Sequence, residues 1–290
     1  MDKRIMVVGA SGFLGSRIYT AYSSKAYLLG TFNSNSHLNL TQLDAANMTT
    51  VSKMFYEFQP QVVINASGYT NVDSCEKWPE LAWRQNVESA TNLAIACVNS
   101  GAKYIQISTD HFDSPNTRLR GEDCSPLAVN YYSYTKLMAE KLILELAPDS
   151  LIIRTNFFGI GKREYPSFLN WIVDGLAASK TINAVTDVFF TPVGVGVLID
   201  ILWDLISADT NGIINISSKE SISKFTFIQT VARVLNVDDP HLSPVKINEI
   251  GLKAVRPLQM SLANDKVCDL LGRRIPSMTS MIERELEVTP

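Results

Sequence analysis

Through the first two-thirds of the chain, short runs rich in Val and Ile alternate with longer stretches whose apolar residues recur every three or four positions. Ile5-Met6-Val7-Val8 is apolar throughout and runs into Gly9, and residues 26–32, 39–43, 62–64, 104–107 and 151–153 repeat the theme. Between them, residues 49–58, 79–99 and 134–146 carry helical spacing. Continuous apolar strands separated by helices imply a parallel sheet covered on both faces. The pattern therefore predicts an α/β fold, a Rossmann-type doubly wound parallel sheet. Past residue 155 the rhythm changes. Residues 158–161 and Tyr165-Pro166 read as loop, 167–178 as helix, 185–206 as a further strand and helix, and 213–216 as strand. The stretch 223–286 mixes helices with Pro-punctuated loops. This predicts a dinucleotide-binding domain over 1–155 with a return at 184–212. A smaller C-terminal α/β substrate domain would comprise 156–183 and 213–290.

Composition narrows the class. With 290 residues, 46% hydrophobic and 19% charged, the chain can bury a large core, which excludes disorder and a disulfide-stapled miniprotein. A net charge of −3 argues against a nucleic-acid partner, whose phosphates call for a basic footprint. Cys75, Cys97, Cys124 and Cys268 lie far apart, as do His37, His111 and His241. That spacing predicts free thiols in a reducing compartment and no metal site. The N-terminus passes straight from charge into a strand, and the apolar stretch 193–206 is broken by Asp200 and Asp204. Neither a signal peptide nor a membrane span is expected, which places the protein in the cytoplasm.

Gly9-Ala10-Ser11-Gly12-Phe13-Leu14-Gly15 follows the first strand and opens a helix. Such a turn lets backbone amides approach a pyrophosphate, because glycine has no Cβ to block it. A tight turn without ligand is the alternative. After the second strand come Asn33 and Ser34, with no carboxylate before Asp44. An acid there would hold a ribose 2′-hydroxyl and repel a 2′-phosphate, so its absence leans toward NADPH, or toward use of both NADPH and NADH, since no arginine follows the strand either.

Tyr132 and Lys136 are four residues apart, one turn of a helix. A phenol with a pKa of about 10 is a poor acid at neutral pH, and a nearby ammonium lowers that value. The pair suits a general acid that protonates a carbonyl oxygen as hydride arrives at carbon. Thr109 and Asp110 follow the strand at 104–107, where open α/β sheets bind ligands. A hydroxyl there could bond the substrate oxygen.

Together these residues resemble the extended short-chain dehydrogenase/reductase superfamily, and within it the dTDP-4-dehydrorhamnose reductase group. The resemblance runs nearly end to end. Beyond the glycine turn it rests on INASGYTNVDSCE at 64–76, STDHFD at 108–113, NYYSYTKLMAEK at 130–141, RTNFFG at 154–159 and RPLQMSLANDK at 256–266. It implies Tyr132 as proton donor, Thr109 as the hydroxyl on a 4-keto oxygen, and Lys136 at the nicotinamide ribose. Gly12, Phe13 and Leu14 would meet the pyrophosphate, Asp44 and Ala45 the adenine side, and Gly68, Tyr69 and Thr70 the middle of the cofactor. Asp110, Phe157 and Arg256 would touch the sugar nucleotide. Phe157 stands where relatives often carry Trp, and the segment after Asp113, at Ser114-Pro115, looks shortened; both bear on the sugar. The implied activity is NAD(P)H-dependent reduction of the 4-keto group of a nucleotide-linked 6-deoxy-sugar, by a homodimer, in polysaccharide precursor synthesis. Two other readings stay open: a regulatory subunit similar to the methionine adenosyltransferase beta subunit, and a sugar-nucleotide epimerase with tightly held NAD.

Overall fold

The computed structural model describes residues 3–34, 39–113, 119–162 and 166–287. His37, the Ser114-Pro115 segment and Tyr165 lie outside them. In chain order the elements are β1 (Arg4–Val8), α1 (Phe13–Tyr22), β2 (Tyr27–Phe32), β3 (Thr41–Gln42), α2 (Met48–Phe58) and β4 (Val62–Asn65). Then come α3 (Val72–Lys77), α4 (Pro79–Trp83), a π-helical turn (Arg84–Glu88), α5 (Ser89–Ser100), β5 (Lys103–Ile107), α6 (Tyr131–Leu146) and β6 (Leu151–Thr155). The second half holds β7 (Phe157–Phe158), α7 (Phe168–Ala177), β8 (Ile182–Val185), β9 (Phe189–Phe190), β10 (Val193–Gly194), α8 (Val195–Ser207) and β11 (Gly212–Ile216). It ends with β12 (Ile222–Ser223), α9 (Lys224–Val234), β13 (Leu242–Val245), α10 (Asp265–Leu271) and α11 (Met278–Glu287).

A seven-stranded sheet runs in the order β3-β2-β1-β4-β5-β6-β11. Val7 pairs in parallel with Gly30 on one side and Ile64 on the other, so the chain leaves β1 in both directions. That reversal is the switch point at which such sheets bind ligands. Met6, Val51, Phe55, Val63, Leu93, Ile143 and Ile152 belong to one buried cluster. Each such side chain contributes roughly 1.5–3 kcal/mol by leaving water.

The chain forms two compact units. The first comprises Met1–Thr109, Asn130–Arg154 and Leu205–Ile214, and the second Asp110–Val129, Thr155–Asp204 and Asn215–Pro290. Within the second, β10 pairs β7, β12 pairs β9 and β13 pairs β8. Phe158, Phe168 and Phe190 surround Phe227 there at centroid distances of 5.0, 6.0 and 5.7 Å.

Three local differences from the sequence pattern have physical causes. The helix over 79–99 is interrupted, because Ser89 N–H reaches back to the Arg84 carbonyl, an i→i+5 bond. Helix α6 starts at Tyr131, since Asn130 and Ser133 form a reciprocal cap with a 2.8 Å bond to the Ser133 amide. Phe157–Phe158 is a short strand beside β10 where loop was expected next to Gly159. All four cysteines are free thiols, Cys75 and Cys97 buried and Cys124 and Cys268 half-buried. No helix among the described residues is long and apolar enough to cross a membrane.

Candidate active site

The glycine turn is shaped by backbone contacts that leave no room for a side chain at Gly9 or Gly15. Gly9 has φ +82°, and a Cβ there would fall 2.9 Å from Ser67, which follows β4. Gly12 N–H bonds the Gly9 carbonyl at 3.0 Å, and Ala10 N–H bonds the Thr31 carbonyl at 2.8 Å. A Cβ on Gly15 would lie 2.7 Å from the Gly9 carbonyl carbon, so α1 packs directly on the turn. Gly12 occupies the N-cap of α1 and no side chain closes that end, the arrangement that suits a phosphate.

A cleft of about 440 Å³ opens beside this turn. Of the residues singled out from sequence, Gly9, Ser11, Gly12, Asn33, Ser34, Ala45, Gly68 and Tyr69 line it. Phe13, Leu14, Gly15, Asp44 and Thr70 are not in its wall. Both carboxylate oxygens of Asp44 are engaged, one by Arg84 at 2.5 Å and the other by the Ala46 amide at 3.1 Å. Thr31, Ser67 and Gln85 also line the cleft and were not anticipated. No charged side chain does so among the described residues. The hydroxyl oxygen of Thr31, a residue of the cleft wall, is buried without a hydrogen-bond partner. A dinucleotide fits this chemistry: a turn with glycine at 9 and 12, an uncapped helix start and neutral polar groups at the end of β2.

The second constellation lies on one face of α6. Tyr132, Lys136 and Glu140 are all buried at four-residue intervals. The Lys136 ammonium donates to the carbonyl of Ile107, the last residue of β5, at 2.8 Å. Thr109, also buried, stands two residues beyond that carbonyl. One turn further along, Glu140 accepts from the Ser108 hydroxyl and forms a buried two-pronged pair with Arg154, at 3.1 Å from Nε and 2.7 Å from Nη2. Helix α6 is thus tied to the carboxyl end of β5 at two successive residues. Burial pushes the Lys136 ammonium down to a pKa of about 8, with Glu140 opposing the shift. Tyr132 packs in a cluster with Cys75, Ala82 and Tyr69, the last a cleft residue.

Asn86 supports the same region and was not foreseen. Its amide donates to the Thr135 hydroxyl at 3.0 Å and the Tyr69 carbonyl at 3.1 Å, while its oxygen accepts the Tyr69 amide at 2.7 Å. The π-helical turn carries it, a device that often marks functional sites. An asparagine inside an amphipathic stretch is the only trace in the sequence.

In the second unit, Asp110 is buried; one oxygen accepts from Asn156 at 3.1 Å and the other, Oδ2, has no partner. Burial raises its carboxyl pKa to about 7, against the pull of Asn156, Arg120 and Lys224. His111 is driven down to about 3 by burial and by the charges of Arg256 and Lys224. Arg256 is half-buried and donates to the Ala254 carbonyl at 2.8 Å. Phe157 sits on β7, paired with Val193.

A family model described as the RmlD substrate binding domain matches residues 3–289. A probable low-salt glycan biosynthesis reductase of Haloferax volcanii is 27% identical over 281 residues, 94% of this chain and 93% of that protein. The methionine adenosyltransferase 2 subunit beta of Bos taurus is 26% identical over 285 residues, 95% of this chain and 85% of its own. Among solved structures, a dTDP-4-dehydrorhamnose reductase of Bacillus anthracis in complex with NADP superposes with a TM-score of 0.90 at 26% identity, covering 100% of both chains.

Proposed function

Because the chain belongs to the RmlD substrate binding domain family, we propose that it is an NAD(P)H-dependent reductase of the 4-keto group of a nucleotide-linked 6-deoxy-sugar, acting in polysaccharide precursor synthesis. The observation that carries this reading is the tie between Lys136 and the end of β5, which holds the helix bearing Tyr132 beside the segment bearing Thr109. The first unit would bind the dinucleotide and the second the sugar nucleotide.

When bound, the nicotinamide supplies a hydride to the keto carbon. Tyr132 gives its phenolic proton to the keto oxygen, and Thr109 bonds that oxygen to steady it. Lys136, held by the Ile107 carbonyl, offers its remaining N–H donors to the nicotinamide ribose and makes phenolate easier to form at Tyr132. Gly9, Ser11 and Gly12 would hold the pyrophosphate from the cleft wall, Phe13 and Leu14 through their backbone amides at the start of α1, with Gly15 setting the helix against the turn. Gly68, Tyr69 and Thr70 flank the middle of the cofactor. Asp44 and Ala45 serve the adenine side, Asp44 through its pairing with Arg84. Asn33 and Ser34, with no carboxylate beside them in the cleft, favour NADPH. Asp110, Phe157 and Arg256 take the sugar nucleotide, the Arg256 guanidinium at its diphosphate. A cytoplasmic homodimer that needs neither nucleic acid nor membrane completes the reading.

The test is consumption of NADPH, followed by its absorbance, against a panel of nucleotide-linked 4-keto-6-deoxyhexoses. Turnover of at least one supports the reading, and turnover of none across the panel rejects it. The similarity to the methionine adenosyltransferase beta subunits favours one competitor, a regulatory partner. That role predicts co-purification with a synthetase and no keto-sugar turnover. An epimerase would instead retain its NAD through purification.

A further inference from the structure

Lys224 was not singled out by any sequence motif. It opens α9, with its backbone N–H on the Val188 carbonyl at 3.1 Å. Its ammonium lies 5.3 Å from the Phe168 ring centroid and 5.9 Å from that of Phe190. Among the described residues this ammonium makes no hydrogen bond and no ion pair. Asp110 is close enough for the two charges to act on each other, yet the pair is not within the 4.0 Å of an ion pair. Asp110 Oδ2 is buried and likewise lacks a partner.

The region therefore holds a donor without an acceptor beside two aromatic faces, and an acceptor without a donor near enough for the two charges to interact. The Arg256 charge also acts on Lys224, and that of Arg120 on Asp110. A phosphate would answer the ammonium and the Arg256 charge that acts on it, but would set a second anion against Asp110. A hydroxyl answers both groups, since its oxygen accepts and its proton donates. We propose that Lys224 is a specificity-determining residue that, with Asp110, reads one hydroxyl of the sugar. The ammonium donates to the hydroxyl oxygen, and Asp110 Oδ2 accepts its proton. This rests on the sugar-nucleotide reading above and adds to it the residue that distinguishes among sugars.

Calorimetric binding of dTDP-rhamnose and of dTDP alone, to the full chain and to Lys224→Met, tests it. Loss of a charge-assisted hydrogen bond should weaken dTDP-rhamnose by roughly ten- to a hundredfold and leave dTDP unchanged. Lys224→Gln, which keeps a donor, should recover part of the loss and carries the comparison if the Met variant does not fold. Unchanged affinity of Lys224→Met for dTDP-rhamnose overturns the inference. So does an equal loss for dTDP, which would make Lys224 a phosphate ligand. If the unaltered protein binds dTDP-rhamnose no better than dTDP, the sugar reading itself fails.

Discussion

Adding one methyl group to the glycine turn at either of two positions should separate folding from cofactor binding. In Gly15→Ala the new Cβ would lie 2.7 Å from the Gly9 carbonyl carbon and 2.9 Å from Ala10 Cα, both backbone atoms that cannot swing aside. Ordinary carbon contacts are about 3.5–4.0 Å, so α1 must retreat by roughly 0.8–1.3 Å. Overpacking of this kind costs on the order of 1–3 kcal/mol, and a backbone clash belongs at the upper end. At roughly 2–4 °C per kcal/mol for a chain of this size, the melting midpoint should fall by about 6–12 °C. Gly12→Ala is the control. There the Cβ meets nothing closer than the Gly9 oxygen at 3.4 Å, so the fold should melt almost as before. Its methyl, however, stands on the cleft wall where a phosphate would approach, and NADPH affinity should drop by about tenfold or more. Differential scanning fluorimetry with and without NADPH reads both effects. A Gly15→Ala protein that melts with the parent would refute the packing argument. A Gly12→Ala protein that is stabilised by NADPH as fully as the parent would show that the dinucleotide does not lie on this turn.

Tyr132→Phe should lose at least about a hundredfold in turnover while its NADPH affinity, measured by fluorescence titration, stays near the parent's; near-normal rates would remove the proton donor. Burial lowers the Lys136 pKa to about 8, so its charge, and with it turnover, should decline as pH rises through 8. The stability cost of burying that charge is fully present below 8 and relieved between 8 and 10.5, so this fall in rate should come with no loss of melting temperature. A kcat–pH profile that stays flat through pH 9 contradicts it. Asp110, raised from 3.8 to about 7, costs stability fully above pH 7 and progressively less as pH falls toward 3.8. Asp110→Asn should therefore be the more stable protein at pH 8, by up to roughly 4 kcal/mol, and lose that advantage by pH 4. Urea melts at the two pH values decide it, and a pH-independent difference would count against the buried carboxyl.

What the sequence disclosed was whatever is local. A strand followed by Gly9, Gly12 and Gly15 fits few structures, and Tyr132 and Lys136 announce their shared face by spacing alone. The π-helical turn at Arg84–Glu88 left no such mark, because one residue's slip in hydrogen bonding scarcely disturbs a three- and four-residue rhythm. Asn86, Glu140 and Arg154 carry no local mark of burial, since polar and charged side chains mostly face solvent. Their burial depends on partners that only folding brings near, Tyr69 and Thr135 for one, each other for the remaining two. Asp44 showed the reverse problem. Its type and place were legible, but not that Arg84 and the Ala46 amide already engage its carboxylate. Lys224 and Asp110 are far apart in the chain, and no periodicity links them.

The pairing of Glu140 with Arg154 has side chains only 2% and 3% exposed, whereas Asp44 and Arg84 are 33% and 45% exposed. Dissolved ions weaken pairing between wetted charges but scarcely reach a sealed pair. Raising ionic strength should therefore loosen the Asp44–Arg84 pairing and leave the Glu140–Arg154 anchor of α6 untouched. In brine, the exposed clamp between the segment after β3 and the π-helical turn would slacken while the helix that carries Tyr132 and Lys136 stayed moored to the central sheet.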